Sequence, residues 1–170
     1  MAKAEYRWLG YPSGLSRCGG LLRDNAGQWI VGFAKSISVS SSITAELWAL
    51  TEGLSLCIEK EASVVEIELD ASATISLVAS NVNTNGDLSS LVDDCRELLL
   101  RLPQVKLSHC FREENFCVNA LAKLGSASSN VSLVFVNPPP PLAISQLLYA
   151  DMISVYQPRL YTNVVSVLVS

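Results

Sequence analysis

Residues 41–70 read SSITAELWALTEGLSLCIEKEASVVEIELD, and the change of hydrophobic period inside this stretch decides the fold. Ile43, Leu47, Leu50, Leu54 and Ile58 recur at the spacing of one helical face, behind Ser41-Ser42, whose hydroxyls suit a helix cap. From Val64 the period drops to two. Val65, Ile67 and Leu69 alternate with Glu66, Glu68 and Asp70, as in a strand with one face in a core. A helix that hands over to a strand in this way packs its apolar stripe on the sheet that the strand joins. Glu46 lies about 70° from the centre of the stripe, at roughly 100° per residue, so it sits on the helix shoulder and can reach past a sheet edge. Asp70 ends the strand.

Upstream, Cys18 to Asp24 and Gln28 to Lys35 flank Asp24-Asn25-Ala26-Gly27, a tight-turn composition, and together they read as a hairpin. An earlier strand is expected over Glu5 to Leu9, where Tyr6 and Trp8 alternate with Arg7 and Leu9. Downstream, Ala71 to Ala79 reads as a short helix and Asn81 to Gly86 as a loop. Leu88, Leu91, Val92, Cys95, Leu98, Leu99 and Leu102 form a second helical stripe, stopped by Pro103. Val105 to Phe111 is a strand and Glu113 to Leu124 a helix ended by Gly125. The order β-β-β-α-β-α-α-β-α predicts an antiparallel meander extended by parallel strands, with helices on the sheet faces.

Beyond Gly125 the character changes. Residues 1–128 are read as the domain. Residues 129–152 are read as a Pro-rich extension, with Ser126 to Asn130 linker-like, Pro138 to Pro141 a polyproline II run and a short helix over Ala143 to Tyr149. The apolar, β-branched tail, residues 153–170, has no evident place in the domain.

Composition narrows the function classes. A hydrophobic fraction of 49% and a charged fraction of 16% describe a globular protein rather than a disordered one. The net charge of −4 lacks the basic excess of a protein that grips nucleic acid mainly through phosphate neutralisation. Five cysteines at wide, irregular spacings, with no CxxC pair, suggest buried reduced thiols and an intracellular, reducing compartment. The beginning, MAKAEYRWLG, lacks the apolar run of a secretory leader. The most apolar tract, Val131 to Val136, is too short to span a bilayer, so no membrane partner is expected.

Several segments, in their order and spacing, resemble the plant ribonuclease H-like family associated with reverse transcriptases of LINE-type retroelements. They are Cys18-Gly19-Gly20-Leu21-Leu22-Arg23-Asp24, Gly27-Gln28-Trp29-Ile30-Val31-Gly32-Phe33, Ala45-Glu46-Leu47-Trp48-Ala49-Leu50, Glu68-Leu69-Asp70, Asp94-Cys95-Arg96-Glu97-Leu98-Leu99, His109-Cys110-Phe111-Arg112-Glu113-Glu114-Asn115 and Leu121-Ala122-Lys123-Leu124-Gly125. The resemblance runs over about residues 5–152 and implies a ribonuclease H-like α/β fold: a mixed five-stranded sheet, three antiparallel strands then two parallel additions, with helices on both faces. It also implies a monomeric domain that takes an RNA–DNA hybrid or another nucleic acid as partner.

Active members of that family cut the RNA strand of a hybrid with two Mg²⁺ ions, or Mn²⁺ in their place. Two divalent ions about 3.5–4 Å apart need several anionic oxygens to offset their repulsion, which carboxylates supply. By the resemblance, Glu46 is the second of the family's four carboxylates and Asp70 the third, while His109 matches a proton-handling histidine ten residues before the fourth. The fourth position is Asn119, which keeps a carbonyl oxygen and loses a charge. The first falls on Tyr6 without a gap, or on Glu5 with one inserted residue. The anionic count is therefore two, or three with Glu5.

Each residue also has a plainer reading. Glu46 fits a solvated helix shoulder, Asp70 a helix N-cap after a strand, His109 a structural strand-end residue and Asn119 a polar helix face. Trp29 and Trp48 fit core or sheet packing. Lys35, Arg101, Lys106, Arg112 and Lys123 are scattered as ordinary solubility requires. Two classes of function remain open: a weakened hybrid ribonuclease, and a catalytically silent binding module or decaying retroelement fragment.

Overall fold

The computed structural model describes residues 16–37, 41–80, 86, 88–110, 116–124, 132–136, 142–154 and 164–169. The hairpin forms as its turn chemistry dictates. Strand β1 (Ser16–Arg23) pairs antiparallel with β2 (Trp29–Ile37), with an irregularity at Leu22/Arg23. In the turn, Asp24 Oδ1 accepts from the backbone N–H groups of Ala26 (2.9 Å) and Gln28 (2.8 Å), and Gly27 takes φ +79°. Helix α1 (Ser42–Glu59) starts where Ser41 accepts from the Thr44 N–H at 3.1 Å. It ends with Glu61 at φ +53° and the Ala62 N–H donating to the Cys57 carbonyl.

Strand β3 (Val64–Leu69), helix α2 (Ser72–Ala79), helix α3 (Ser89–Arg101), strand β4 (Gln104–His109) and helix α4 (Phe116–Leu124) follow within a residue or two of their predicted bounds where both are described. The cap position of α2 is Ala71, which has no side chain able to cap. The exposed carbonyls at the other end of α2 are held by Arg96 of α3, whose guanidinium donates to Leu77, Val78 and Ser80.

Where five strands were expected, the described residues form a sheet of six, two of them unforeseen. Strand β5 (Ser132–Val136), in the stretch read only as too short for a bilayer, pairs antiparallel with β2 at one sheet edge. Strand β6 (Val164–Val169), in the tail expected to have no place in the domain, lies at the sheet's centre in the order β4-β3-β6-β1-β2-β5. It runs antiparallel to β1 and parallel to β3. The physical reason is its composition: Val-Val-Ser-Val-Leu-Val is the near-continuous β-branched run of a strand covered on both faces. Helix α5 (Leu142–Ser154) links the two strands. The strand expected over Glu5 to Leu9, the loop over residues 81–85, the linker at 126–130 and the proline run at 138–141 lie outside the described residues.

Two cores flank the sheet. On one face Cys18, Leu22, Val31, Phe33, Val65, Ile67 and Leu69 pack with α1, α2 and α3. On the other, Leu21 and half-buried Trp29 pack with α4 and α5 through Cys117, Val118, Leu121 and Ile144. Trp48, expected in the packing, is instead partly exposed and carries the Lys35 ammonium 5.0 Å over its ring. Lys35 also pairs with Glu52, which ties α1 to β2. Among the described residues no helix is long and apolar enough to cross a membrane.

Gly19 fixes how closely α4 can approach. A Cβ there would lie 2.6 Å from the Ala122 backbone nitrogen, and backbone cannot yield as a flexible side chain can. We expect Gly19→Ala to destabilise the fold by about 1–3 kcal/mol, read as a lower urea midpoint, because α4 must move off the sheet.

Burial pushes the Cys18 thiol up to about 12; the Lys35 charge opposes this, and the Glu52 and Glu46 charges add to it. Burial likewise pushes Cys57 up to about 12, against a lowering backbone hydrogen bond. Thiols that ionise less readily when folded stabilise the fold fully below the ordinary thiol value of 9.0, and this contribution is lost as pH rises toward about 12. The urea midpoint should therefore fall between pH 9 and 11 more steeply for the native chain than for a Cys18→Ala/Cys57→Ala variant.

Candidate functional site

Three elements bring the candidate residues to one end of the sheet, the end where β1 carries Cys18-Gly19-Gly20. Glu46, in the first turns of α1, is half-buried and lies close enough to Cys18 for its charge to act on that thiol. The helix that carries it packs on both β1 and β6. Asn119, half-buried in α4, stands one helical turn before Ala122, whose backbone presses on Gly19. Asp70 directly follows Leu69, which is level with Gly20 across Val169 of the intervening strand. Glu46 thus approaches from the α1 side and Asn119 from the α4 side, with Asp70 two strands away at the same level.

Both carboxylates are partly withdrawn from water. One oxygen of Glu46 and one of Asp70 have no solvent-accessible surface, while the residues as a whole remain half-buried. An anion in that setting prefers a nearby cation or hydrogen-bond donors, as a site for a charged ligand requires. Asp70 also stands one residue ahead of the cap of α2, where the helix dipole favours negative charge.

His109 closes β4 level with Leu69, so it lies beside Asp70 along the sheet edge, exposed to solvent. The next residue, Cys110, donates its backbone N–H to the Leu69 carbonyl at 2.9 Å and holds the two strand ends together. Glu5 and Tyr6, the alternatives for the first position, lie outside the described residues.

The donor set decides what this end of the sheet can hold. Glu46 and Asp70 supply two anionic groups, Asn119 an amide, and the strand between β1 and β3 offers Val, Leu and Ser only. Among the described residues no group of three or more His, Cys, Asp or Glu side chains is placed to hold a metal ion. Two carboxylates offset half of the charge of two divalent ions, so the described residues by themselves fall short of a two-ion centre, and the first family position lies outside them.

Two cations near this end attracted no functional reading in the sequence. Arg17 precedes Gly19 by two in β1, and so shares its sheet face. Lys123 follows Asn119 by four in α4, and so shares its helix face. The readable signal was Gly19-Gly20 inside a strand, which marks close approach of another backbone and hence which helix overlies this end.

With this geometry described, the comparisons with known proteins are specific. The profile of the reverse transcriptase-like family matches residues 9–125. An Arabidopsis thaliana protein named "Putative ribonuclease H protein" is 33% identical over 150 residues, which cover 86% of this chain. The chain spans only 23% of that relative's length. The N-terminal RNase H domain of Rv2228c from Mycobacterium tuberculosis, solved as a maltose-binding-protein fusion, superposes with a TM-score of 0.51 at 16% identity. The match covers 67% of this chain and 96% of that one. At that identity the likeness speaks for the fold alone. The sequence matches and the shared architecture together assign the chain to the reverse transcriptase-like family of ribonuclease H-like domains.

Proposed function

We propose that this chain is an RNA–DNA hybrid-binding ribonuclease H-like domain whose strand-cutting chemistry is largely lost in the form described above. The observation that supports the reading is the donor set: two carboxylates among the described residues, or three if Glu5 serves, where active relatives have four, with an amide at Asn119. Family membership supports the ligand class. When bound, Mg²⁺ would supply a polarised phosphate and an activated water, and two anionic groups are too few for the pair of ions that this chemistry needs.

The residues that remain are suited to holding a backbone. Asn119 offers an amide donor toward phosphate or a ribose hydroxyl, and Lys123 and Arg17 offer positive charge on either side of the α4–β1 approach. Glu46 and Asp70 repel phosphate and act as a negative rim that limits how deeply the backbone sits. His109 can exchange a proton with an oxygen at the strand end, yet that capacity has no use without an activated water. The net charge of −4 agrees with a modest grip on few phosphates, and so with a shallow salt dependence, rather than a tight one.

The proposal is tested with a labelled hybrid. Native chain should bind it with a log–log salt slope of about −2, and Lys123→Gln should reduce that slope by about 1. In Mg²⁺ or Mn²⁺ the native chain should cut the RNA strand no faster than a Glu46→Gln/Asp70→Asn double variant, and Asn119→Asp should return measurable cutting. Native cleavage well above the double-variant background would instead establish a working hybrid ribonuclease.

A further inference from the structure

Helix α1 is enclosed along most of its length. It packs on β1, β6 and α3, and between Leu47 and Cys57 only Trp48 and Ser55 are exposed. Leu47, Ala49, Leu50 and Leu54 fill the core, whereas the indole of Trp48 keeps 37% of its surface open to water. A single exposed apolar residue is ordinary on a folded domain. This one is held in place. The Lys35 ammonium reaches from β2 to stand 5.0 Å over the ring, and Glu52, one turn further along α1, pairs with the same ammonium. The ring is thus fixed by a cation whose charge is already balanced.

Its location gives the clamped ring a use. Lys35 is level with Cys18 across the hairpin, at the end of the sheet that carries the candidate site. The Cys18 thiol feels the charges of Lys35, Glu52 and Glu46 together, which gathers all three around one stretch of β1. Trp48 follows Glu46 by two residues, so the two leave α1 about 3 Å apart along its axis and about 200° apart around it. The indole therefore flanks the candidate site on its β2 side.

The surroundings of the ring select its ligand. A flat ring beside a neutralised ion pair offers little to a phosphate, and a broad polarisable face to another flat ring. Within a duplex both faces of each base are covered by neighbours, so an unpaired base is the one with a face to give. A strand that runs past the end of a duplex presents such bases.

We propose that Trp48 is a stacking platform for an unpaired base, so that the domain favours an RNA–DNA hybrid with a single-stranded overhang over a blunt one. The hybrid as carrier of that base rests on the function proposed above, and the two are separable by experiment.

The full chain is titrated into labelled hybrids that are blunt, that carry a four-nucleotide adenine overhang, or that carry the same overhang without bases. Anisotropy should show about tenfold tighter binding of the adenine overhang than of the blunt hybrid, and no such gain for the abasic one. Trp48→Leu keeps apolar bulk and removes the aromatic face. It should return the ratio of overhang to blunt affinity to about one, whereas Trp48→Phe should keep part of the gain. The abasic comparison needs only the native chain, and so decides the matter even where a variant fails to fold. An adenine gain that survives Trp48→Leu, or an abasic gain equal to it, overturns the platform, the latter pointing to phosphate contact alone. A blunt hybrid bound with no overhang gain overturns the platform and leaves the proposed function standing.

A single-stranded tetranucleotide containing 2-aminopurine gives the converse measurement. Stacking on an indole quenches this base, so the native chain should quench it and Trp48→Leu should not. Such quenching by a chain that does not bind the blunt hybrid would retain the platform and overturn the hybrid reading. Equal fluorescence with the native and Trp48→Leu chains overturns the platform.

Discussion

Everything in this domain depends on the pairing of β6 with two strands at once. β1, β2 and β5 form one antiparallel group and β3 with β4 a parallel pair, and Val164–Val169 is the only described strand that joins them. A strand in such a position satisfies its own backbone groups and the inward-facing groups of both neighbours, which would otherwise face a gap beneath α1. The Arg23–Glu68 pair adds a direct tie across the same junction. Burial of that arginine raises the cost of separating the halves, because a charge withdrawn from water must keep its partner.

Much of the architecture was legible because local signals agreed with the global fold. The change of period within residues 41–70 gave α1 and β3, Asp24 to Gly27 gave the hairpin turn, and Pro103 gave the end of α3. In each case a local preference and a tertiary demand pointed the same way. β5 and β6 were not legible for a related reason. Short apolar β-branched runs carry no alternation, and nothing within them says which sheet edge they will meet. Their pairing partners lie far away in sequence, and that information is held in the vacancies of the rest of the sheet.

Candidate residues could be named from the resemblance, but their arrangement could not. The resemblance pointed to Glu46, Asp70, His109 and Asn119, and their elements do meet at one end of the sheet. The sequence could not show that a valine-rich strand separates β1 from β3 at that end. Nor could it show that Gly19 is what lets α4 bring Asn119 down toward the sheet. Lys123 looked like ordinary surface charge, since its nearness to the β1 end of the sheet arises only when α4 seats on β1.

The connectivity of β6 also shapes how the chain reaches its fold. Pairing Gly20 with Val169 joins residues separated by almost the whole chain, so the contact that completes the sheet has very high contact order and a large loop-closure cost. During synthesis, β1 and β3 emerge long before their shared neighbour and present two open edges in the interval. A nascent chain of this design needs either a temporary occupant for that gap or shelter from other chains until residues 164–169 arrive. The same segment that closes the domain therefore sets the period during which it is most exposed to aggregation.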